Sequence, residues 1–261
     1  MDHLRISTMT AISSLNSEIN LDHLFQNIMI DPNDPNDPVI SYIEHGSLGF
    51  KGESVKNKRK PRKPTKQKKS FFNQVTTHVH CEKIVNVKLF NNGKIQMTGL
   101  KYEGHGIKVL QLLIPYLIKM NDESIDKIFS TPKIQYTPMN IVLINSDFFI
   151  GYPIIREKLH EEIIRLGYYS SYEPCNYPGV NIKYYYNVNS SDGICKCNAV
   201  CNGKGDGSCD GNCKKVTIAV FQSGKALITG ARNRQQLEIA LKFITNFVDS
   251  KKDILQEKVV C

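Results

Sequence analysis

The sequence predicts an α+β fold made of two similar halves, each contributing strands to an antiparallel sheet. The first observation is a repeat: residues 90–101 and 221–232 both read Phe-x-x-Gly-Lys-x-x-x-Thr-Gly-x-Lys/Arg. The second is the order of predicted elements, which in each half is a strand, a helix, several antiparallel strands and a helix. Because single helices do not alternate with single strands, this order favours α+β over a doubly wound sheet.

The first half covers residues 7–120, and hydrophobic spacing defines its elements. Apolar residues recur at helical spacing over 20–30, where Asn20 is a typical N-cap residue. The tract DPNDPNDP at 31–38 cannot continue this helix. The predicted strands are 9–12, 75–79, 84–90 and 95–99, and a second, amphipathic helix covers 107–120.

The second half covers residues 131–251 and repeats this order. A strand, a helix, a pair of strands, a further strand and a long amphipathic helix follow one another along the chain. The predicted strands are 140–144, 180–187, 216–221 and 226–229, and the predicted helices are 153–166 and 235–248.

Each half also contains an insertion. Residues 46–70 include KNKRKPRKP and are predicted to be a disordered basic loop, which serves as a nuclear-localisation signal, a non-specific DNA tether, or a solvated loop without either role. Residues 188–214 are a Cys- and Gly-rich extension of the hairpin between the second and third strands of the second half.

Composition limits the classes of partner without identifying one. The net charge is +9 and the pI about 9.0, which is compatible with a polyanionic partner and equally with a basic protein that has none. No run of about 18 apolar residues predicts a membrane span, and the N-terminus lacks the apolar core of a secretory signal. We therefore expect a cytosolic or nuclear protein.

The faces of the predicted strands suggest nucleic acid as that partner. In the second half, strand alternation puts Ala219, Leu227 and Thr229 on one face, whereas Lys88 and Gln96 occupy the corresponding face of the first half. An apolar, Thr-bearing face suits the minor groove, which offers few hydrogen-bonding groups between two phosphate walls. The basic residues around this face are Lys94, Lys101, Lys225 and Arg232.

Aromatic residues lie near the predicted strand ends, one pair in each half. The pairs are Phe72 with Phe90 and Tyr177 with Phe221. Aromatic side chains of this kind insert between base steps and kink DNA. The alternative is that they are ordinary core residues.

These motifs resemble those of the TATA-box-binding protein family. Residues 170–179, SSYEPCNYPG, are similar to that family's Ser-Ser-Tyr-Glu-Pro-x-x-Phe-Pro-Gly, and the resemblance extends over most of residues 7–251 apart from the insertions. It implies a saddle, in which one curved antiparallel sheet straddles DNA and the helices lie on the convex side. It further implies a general initiation factor that binds the minor groove of AT-rich promoter DNA, bends it and nucleates preinitiation-complex assembly with a TFIIB-type factor and RNA polymerase.

The resemblance also implies roles for individual residues. The aromatic wedges correspond to Phe72, Phe90, Tyr177 and Phe221. Groove contacts correspond to Thr98, Thr229, Asn140, Val142 and Leu227, and backbone contacts to Lys94, Lys101, Lys225 and Arg232. Glu173 corresponds to an acidic residue that meets the TFIIB-type factor.

Several positions depart from the family pattern. Gln96 replaces an apolar groove contact, Tyr177 replaces Phe, and Cys175 replaces an acidic residue at the factor surface. In the first half Thr8 aligns with Asn140 and Thr10 with Val142. We therefore expect relaxed or altered sequence preference, with an AT-rich site containing flexible TA steps as the default. The alternative function is a saddle-fold protein-interaction module with weak or no specific DNA binding.

Divergence, insertions and a Lys-, Asn- and Ile-rich composition are compatible with an origin in a large DNA virus. The expected location is the nucleus or, for a virus-encoded protein, the site of viral transcription in the host cell. We expect no enzymatic activity, because the His residues are scattered and the Gly-rich segment 203–207 lacks the strand-to-helix context of a phosphate loop.

The second insertion carries a cluster of cysteines, and the family pattern requires no cofactor. Their spacing is C-x-C-x3-C-x7-C-x3-C. Structural zinc is held by four thiolate or imidazole ligands, which four of these five residues can supply. A metal-free loop and disulfides remain the alternatives. The candidate ligands are Cys195, Cys197, Cys201, Cys209 and Cys213.

Overall fold

The computed structural model describes residues 4–30, 39–46, 48–53, 71–198 and 203–257. The chain divides into two compact units. The first unit is Met9–Ile141, and the second is Met1–Thr8 together with Val142–Cys261. Among the described residues, none of the helices has the length and hydropathy of a membrane span.

The first unit is an antiparallel sheet with two helices against one of its faces. Asn20 caps the first helix as predicted, since its side chain accepts a hydrogen bond from His23 N at 3.1 Å. The strands lie in the order β3-β2-β4-β5-β6-β1. They are β1 (Arg5–Ser14, of which Arg5 to Thr8 belong to the second unit), β2 (Ile40–His45), β3 (Gly49–Gly52), β4 (Gln74–Cys81), β5 (Lys83–Phe90) and β6 (Lys94–Leu100), and the helices are α1 (Leu21–Asn27) and α2 (Glu103–Glu123).

The second unit has the same plan without an equivalent of β3. Its strands lie in the order β7-β11-β10-β9-β8, and α3 and α4 contact the sheet. The strands are β7 (Asn140–Phe149, beginning in the first unit), β8 (Tyr169–Ser171), β9 (Val180–Tyr186), β10 (Lys214–Val220) and β11 (Lys225–Ala231), and the helices are α3 (Arg156–Arg165), α4 (Arg234–Ser250) and α5 (Lys252–Leu255).

The prediction of disorder over 46–70 is wrong where the structure describes it. Residues 49–52 form β3, which pairs with β2 in a hairpin that places Glu44 opposite Phe50. Backbone pairing to an existing strand orders this short Gly-Phe-Lys-Gly segment, although its composition predicts no strand. The basic residues 54–70 lie outside the described residues.

The helix-covered faces form the hydrophobic core of each unit. In the first unit the row Ile43, Val87 and Met97 is fully buried, and in the second unit Ile182, Ile218 and Ile228 are equally buried. Cross-strand rows of this kind are the basic unit of sheet stabilisation. We call the opposite face of each sheet its open face.

The repeated Phe-x-x-Gly-Lys segments form corresponding hairpin turns. Gly93 and Gly224 have φ angles of +79° and +80°, a conformation that favours glycine. A β-carbon would also collide with the carbonyl oxygen of Ser17 in the first unit and of Tyr152 in the second. Both copies of the repeat therefore require glycine for the same two reasons.

Candidate nucleic-acid interface

The open face of the second unit combines apolar and hydroxyl groups in two cross-strand rows. Leu227 and Thr229 lie on it as predicted, and both are half-buried. Paired positions on antiparallel strands share a face, so the pairing of β10 with β11 adds Ala219 and Thr217. The rows are Ser171, Asn181, Ala219, Leu227 and Asp147, and Tyr169, Lys183, Thr217, Thr229 and Asn145.

Lys183 is a cation on this face that the sequence analysis missed. Its Nζ donates a hydrogen bond to Thr217 Oγ1 at 3.1 Å. Burial lowers the pKa of Lys183, and the nearby charge of Lys215 lowers it further. Strand alternation from Val180 could have identified Lys183, but finding its row requires the register between β9 and β10.

The open face of the first unit is more polar. Thr98 lies on it in the row equivalent to that of Thr229, as predicted. Lys88 pairs with Gln96 where the second unit pairs Ala219 with Leu227. The rows are Phe50, Glu44, Thr76, Lys88, Gln96 and Ile12, and Gly52, Tyr42, His78, Asn86, Thr98 and Thr10.

Register corrects the alignment of the strands that begin the two halves. Thr10 pairs with Thr98, and Asn145 pairs with Thr229, so Thr10 corresponds to Asn145. Both strands are 10 residues long and share their burial pattern except at the last position. The counterpart of Asn140 is therefore Arg5 rather than Thr8. The counterpart of Val142 is Ser7 rather than Thr10. The number of residues that separates equivalent positions in the two halves is not constant along the chain, because the segments between the strands differ in length.

Asn140 and Val142 themselves lie at the beginning of β7, the former exposed and the latter half-buried. The equivalent residues Arg5 and Ser7 engage Asp147. Arg5 Nη2 is 2.9 Å from Asp147 Oδ2, and Ser7 Oγ donates to Oδ1 at 2.7 Å. Burial raises the pKa of Asp147, but these hydrogen bonds and the charges of Arg5 and Lys225 outweigh it, so this pKa lies below its usual range. An anionic residue on the open face is thus neutralised.

The predicted aromatic pair of the second unit is assembled. The ring centroids of Tyr177 and Phe221 are 5.8 Å apart, with the planes at 58°. Gly179 lies beneath both rings, since a β-carbon there would be 2.9 Å from Tyr177 Cε1 and 3.2 Å from Phe221 Cε1. Tyr177 is still 37% exposed, so the pair is accessible at the surface.

The aromatic pair of the first unit is arranged differently. Phe90 ends β5 and is half-buried, whereas Phe72 is 68% exposed. The Phe72 ring lies against Gly46, where a β-carbon would be 3.1 Å from Phe72 Cδ1. Among the described residues, no ring contact joins Phe72 to Phe90.

The predicted basic residues lie at strand ends. Lys94 and Lys225 are the exposed first residues of β6 and β11. Lys101 and Arg232 directly follow the same two strands, and Arg232 is exposed whereas Lys101 is half-buried. Burial, followed by the charge of Arg232, lowers the pKa of Lys214. Cations therefore lie at both ends of the repeated hairpins.

Glu173 lies in the exposed turn before the aromatic pair. Its Oε2 accepts a hydrogen bond from Asn176 Nδ2 at 2.8 Å, and its carbonyl accepts one from Tyr177 N at 2.9 Å. Arg156 fixes the other side of this turn by donating to the Pro178 carbonyl at 2.7 Å. Glu173 thus supports the turn that carries Tyr177.

The candidate zinc ligands are brought together only in part. Cys195, Cys197 and Cys213 have their sulfur atoms within 4.8 Å of one another. Cys209 is described but does not belong to this cluster, and Cys201 lies outside the described residues.

Comparisons with known proteins show which family this chain is similar to. The model of the family "Transcription factor TFIID (or TATA-binding protein, TBP)" matches residues 157–250. The structure of TBP from Methanococcus jannaschii superposes with a TM-score of 0.52 at 15% identity, covering 95% of this chain and 99% of that one. This likeness confirms the α+β fold class predicted from the sequence.

A relative named "TATA-box-binding protein-like", from Acanthamoeba polyphaga mimivirus, is 30% identical over 198 residues. The match covers 67% of this chain and 47% of the relative, so the chain spans about half the length of this curated protein. The chain belongs to the TATA-box-binding protein family, as a divergent member. That family consists of DNA-binding transcription factors rather than enzymes.

Proposed function

We propose that this protein binds the minor groove of AT-rich promoter DNA, bends it with aromatic wedges and nucleates assembly of a transcription initiation complex. The observation that carries this proposal is the open face of the second unit. There, Leu227 and Thr229 are in register with Ala219 and Thr217, close to an accessible Tyr177–Phe221 pair.

The chemistry of this face fits the minor groove. The groove offers adenine N3 and thymine O2 as acceptors, and the hydroxyl groups of Thr217 and Thr229 are donors at this surface. Leu227 and Ala219 supply apolar surface against the sugars. Lys225 and Arg232 are exposed at the two ends of β11, where they suit contacts with phosphate oxygens.

The Tyr177–Phe221 pair supports bending. Side chains that unstack a base step must be accessible and held in a fixed orientation. Gly179 allows the two rings to approach each other, and the turn containing Glu173 and Pro178 supports them. The Tyr177 hydroxyl departs from a purely apolar wedge and is expected to modify the preferred base step.

The first unit suggests a weaker contribution to sequence preference. Lys88 and Gln96 leave less apolar surface on its open face than Ala219 and Leu227 do. The family match also covers residues 157–250, within the second unit. We propose that the second unit dominates groove filling and that the first grips a less defined half-site.

The proposed DNA contacts retain the residues implied by the resemblance, with Glu173 as the contact for a TFIIB-type factor and RNA polymerase machinery as a further partner. The proposed location is the nucleus or the host-cell site of viral transcription. The DNA contacts are Phe72, Phe90, Lys94, Thr98, Lys101, Asn140, Val142, Tyr177, Phe221, Lys225, Leu227, Thr229 and Arg232.

A gel-shift series against AT-rich and GC-rich duplexes tests this function. We expect tighter binding to the AT-rich duplex. Leu227→Gln gives the second unit the residue that the first has at Gln96. It should weaken binding about tenfold, because the amide loses apolar contact with the groove, a loss comparable to the cost of about 1–3 kcal/mol for one mismatched base pair. Leu166→Gln is the matched control, because Leu166 is 45% exposed and follows α3. Equal affinity for both duplexes would contradict the proposed sequence preference.

One observation favours a protein-interaction module as the second candidate. The open face of the first unit carries Glu44 in the same cross-strand row as Thr76 and Lys88. Glu44 is exposed and would repel phosphates, whereas it would suit a basic protein surface. The two candidate functions differ in whether DNA affinity and bending depend on Phe90 and Phe221.

A further inference from the structure

The segment between β9 and β10 concentrates thiol groups in one small volume. The sulfur atoms of Cys195, Cys197 and Cys213 all lie within 4.8 Å of one another. Cys213 is only 2% exposed, and the other two are half-buried. Three sulfur atoms at this separation form the larger part of a tetrahedral thiolate site.

The separation is close to that of a zinc site. With Zn–S bonds of about 2.3 Å, tetrahedral geometry puts thiolate sulfurs about 3.8 Å apart. The largest separation here therefore exceeds the bound value by about 1 Å at most. Small side-chain rotations close such a gap.

Two N–H groups surround the sulfur atom of Cys213. The backbone amide of Lys196 is 3.1 Å from Cys213 Sγ, and Asn187 Nδ2 is 3.8 Å from it. Such N–H groups orient metal-bound sulfur and stabilise its negative charge. Cys213 Sγ is also 3.3 Å from the Gly211 carbonyl oxygen, a contact that the neutral thiol makes and that metal binding would replace.

Close backbone packing and hydrogen bonds order the loop around the sulfur atoms. A β-carbon on Gly211 would be 2.6 Å from Cys197 N. Only glycine therefore allows the segment containing Gly211 to come this close to the segment containing Cys197. Asn187 Nδ2 donates to the Gly211 carbonyl, and Tyr185 N donates to the Gly193 carbonyl at 2.8 Å. The backbone thus holds the cysteines in position before any ion is bound.

We propose that Cys195, Cys197 and Cys213 bind one Zn²⁺ ion that fixes the cysteine-rich loop to the ends of β9 and β10. Cys209 is not a ligand. Water takes the fourth coordination position. Because Cys213 directly precedes β10, the ion would anchor the strand that carries Lys215 and Thr217. This structural site is independent of whether the protein binds DNA.

Metal analysis of the full-length chain, purified under reducing conditions with zinc in the growth medium, tests the proposal. We expect about one equivalent of zinc in the wild-type protein. Cys197→Ser and Cys213→Ser should fall below about 0.2 equivalents. Cys209→Ser is the matched control in the same loop and should keep the wild-type zinc content.

Cobalt substitution and proteolysis keep the test decisive if the serine variants misfold. Wild-type protein loaded with Co²⁺ should show the thiolate charge-transfer absorption of a tetrahedral site. A chelator should abolish that absorption and make the bonds after Lys196 and Lys204 more sensitive to trypsin. Wild-type protein that takes up neither metal overturns the proposal. The proposal is also overturned if Cys209→Ser loses as much zinc as Cys197→Ser. A disulfide between two cysteines of the cluster, found in protein purified under reducing conditions, would overturn it as well.

Discussion

At the scale of single residues, the pair formed by Arg5 and Asp147 controls the charge of the second open face. Asp147 shares a cross-strand row with Leu227, where a bare carboxylate would repel phosphates. Arg5 neutralises it through Nε and Nη2, while its own side chain remains 74% exposed. Arg5 also stands at the position equivalent to Asn140, which makes it a candidate for direct contact with DNA.

We predict that Arg5→Ala lowers affinity for an AT-rich duplex about three- to tenfold and reduces the salt dependence of binding by about one phosphate contact. The variant loses a cation and exposes the Asp147 charge. Asp147→Asn is the partner control, and it should bind at least as tightly as the wild type because Arg5 is released for phosphate. Titrations over a range of salt concentrations measure both effects, and wild-type affinity in Arg5→Ala would contradict this role.

At the scale of elements, the turn before β9 determines whether the aromatic pair forms. The rings of Tyr177 and Phe221 meet above Gly179, which has no side chain to separate them. The contact between the two rings therefore requires glycine at position 179, in addition to the aromatic residues themselves.

We therefore expect Gly179→Ala to weaken DNA binding and reduce the bend angle, because its β-carbon would push both rings apart. Gly104→Ala is the matched control. Gly104 lies in α2, and a β-carbon there would be 3.5 Å from Tyr102 Cε2, an ordinary contact, so alanine should stabilise the helix by up to about 1 kcal/mol. Fluorescence titration and thermal unfolding of both variants separate a loss of binding from a loss of folding. An unchanged bend in Gly179→Ala would be inconsistent with paired wedges.

Helix α3 is tied to the end of α4 through Glu162. Its Oε2 is 2.6 Å from Arg165 Nη2 and 2.9 Å from Lys251 Nζ. Hydrogen bonds from Arg165 and then Lys251 lower the pKa of Glu162 to about 2. A carboxyl group with a lowered pKa stabilises the fold at neutral pH and loses this contribution as the pH falls through the folded-state value.

Glu162→Gln should accordingly lower Tm by a few degrees at pH 7, and the difference from the wild type should vanish as the pH falls from about 4.5 to about 2. Glu161→Gln is the neighbouring control, since Glu161 forms only an exposed pair with Lys158 at 3.2 Å. Thermal unfolding at several pH values gives the comparison. A difference that persists unchanged at pH 2 would exclude this ion pair as its source.

Elements with strong local signals could be predicted from the sequence. The duplicated Gly93 and Gly224 fix two hairpin turns, and Asn20 fixes a helix start. Strand β3 could not be predicted, because its order comes from pairing with β2 and not from its composition. The counterpart of Asn140 also required the observed register, since a constant offset between the halves fails where intervening lengths differ.

At the scale of the whole molecule, the two units share a plan but differ in the surfaces that they offer. The first has the additional strand β3 and a more polar open face, whereas the second has an assembled aromatic pair and pairs Ala219 with Leu227 where the first pairs Lys88 with Gln96. The matched family model covers residues of the second unit. Duplication thus explains the common plan, and divergence of the open faces predicts unequal contributions to DNA binding.

The proposed function requires that the open faces bind and bend DNA. Fluorescence resonance energy transfer across an end-labelled AT-rich duplex with a central TA step measures this bend. We predict that the wild-type protein raises transfer, that Phe221→Ala loses most of the bend, and that Phe90→Ala loses a smaller part. Tyr136→Ala, whose side chain is 39% exposed in the first unit, serves as an aromatic control and should bend DNA normally. If both phenylalanine variants bind and bend DNA as the wild type does, the groove-binding account is wrong and a protein-interaction module replaces it.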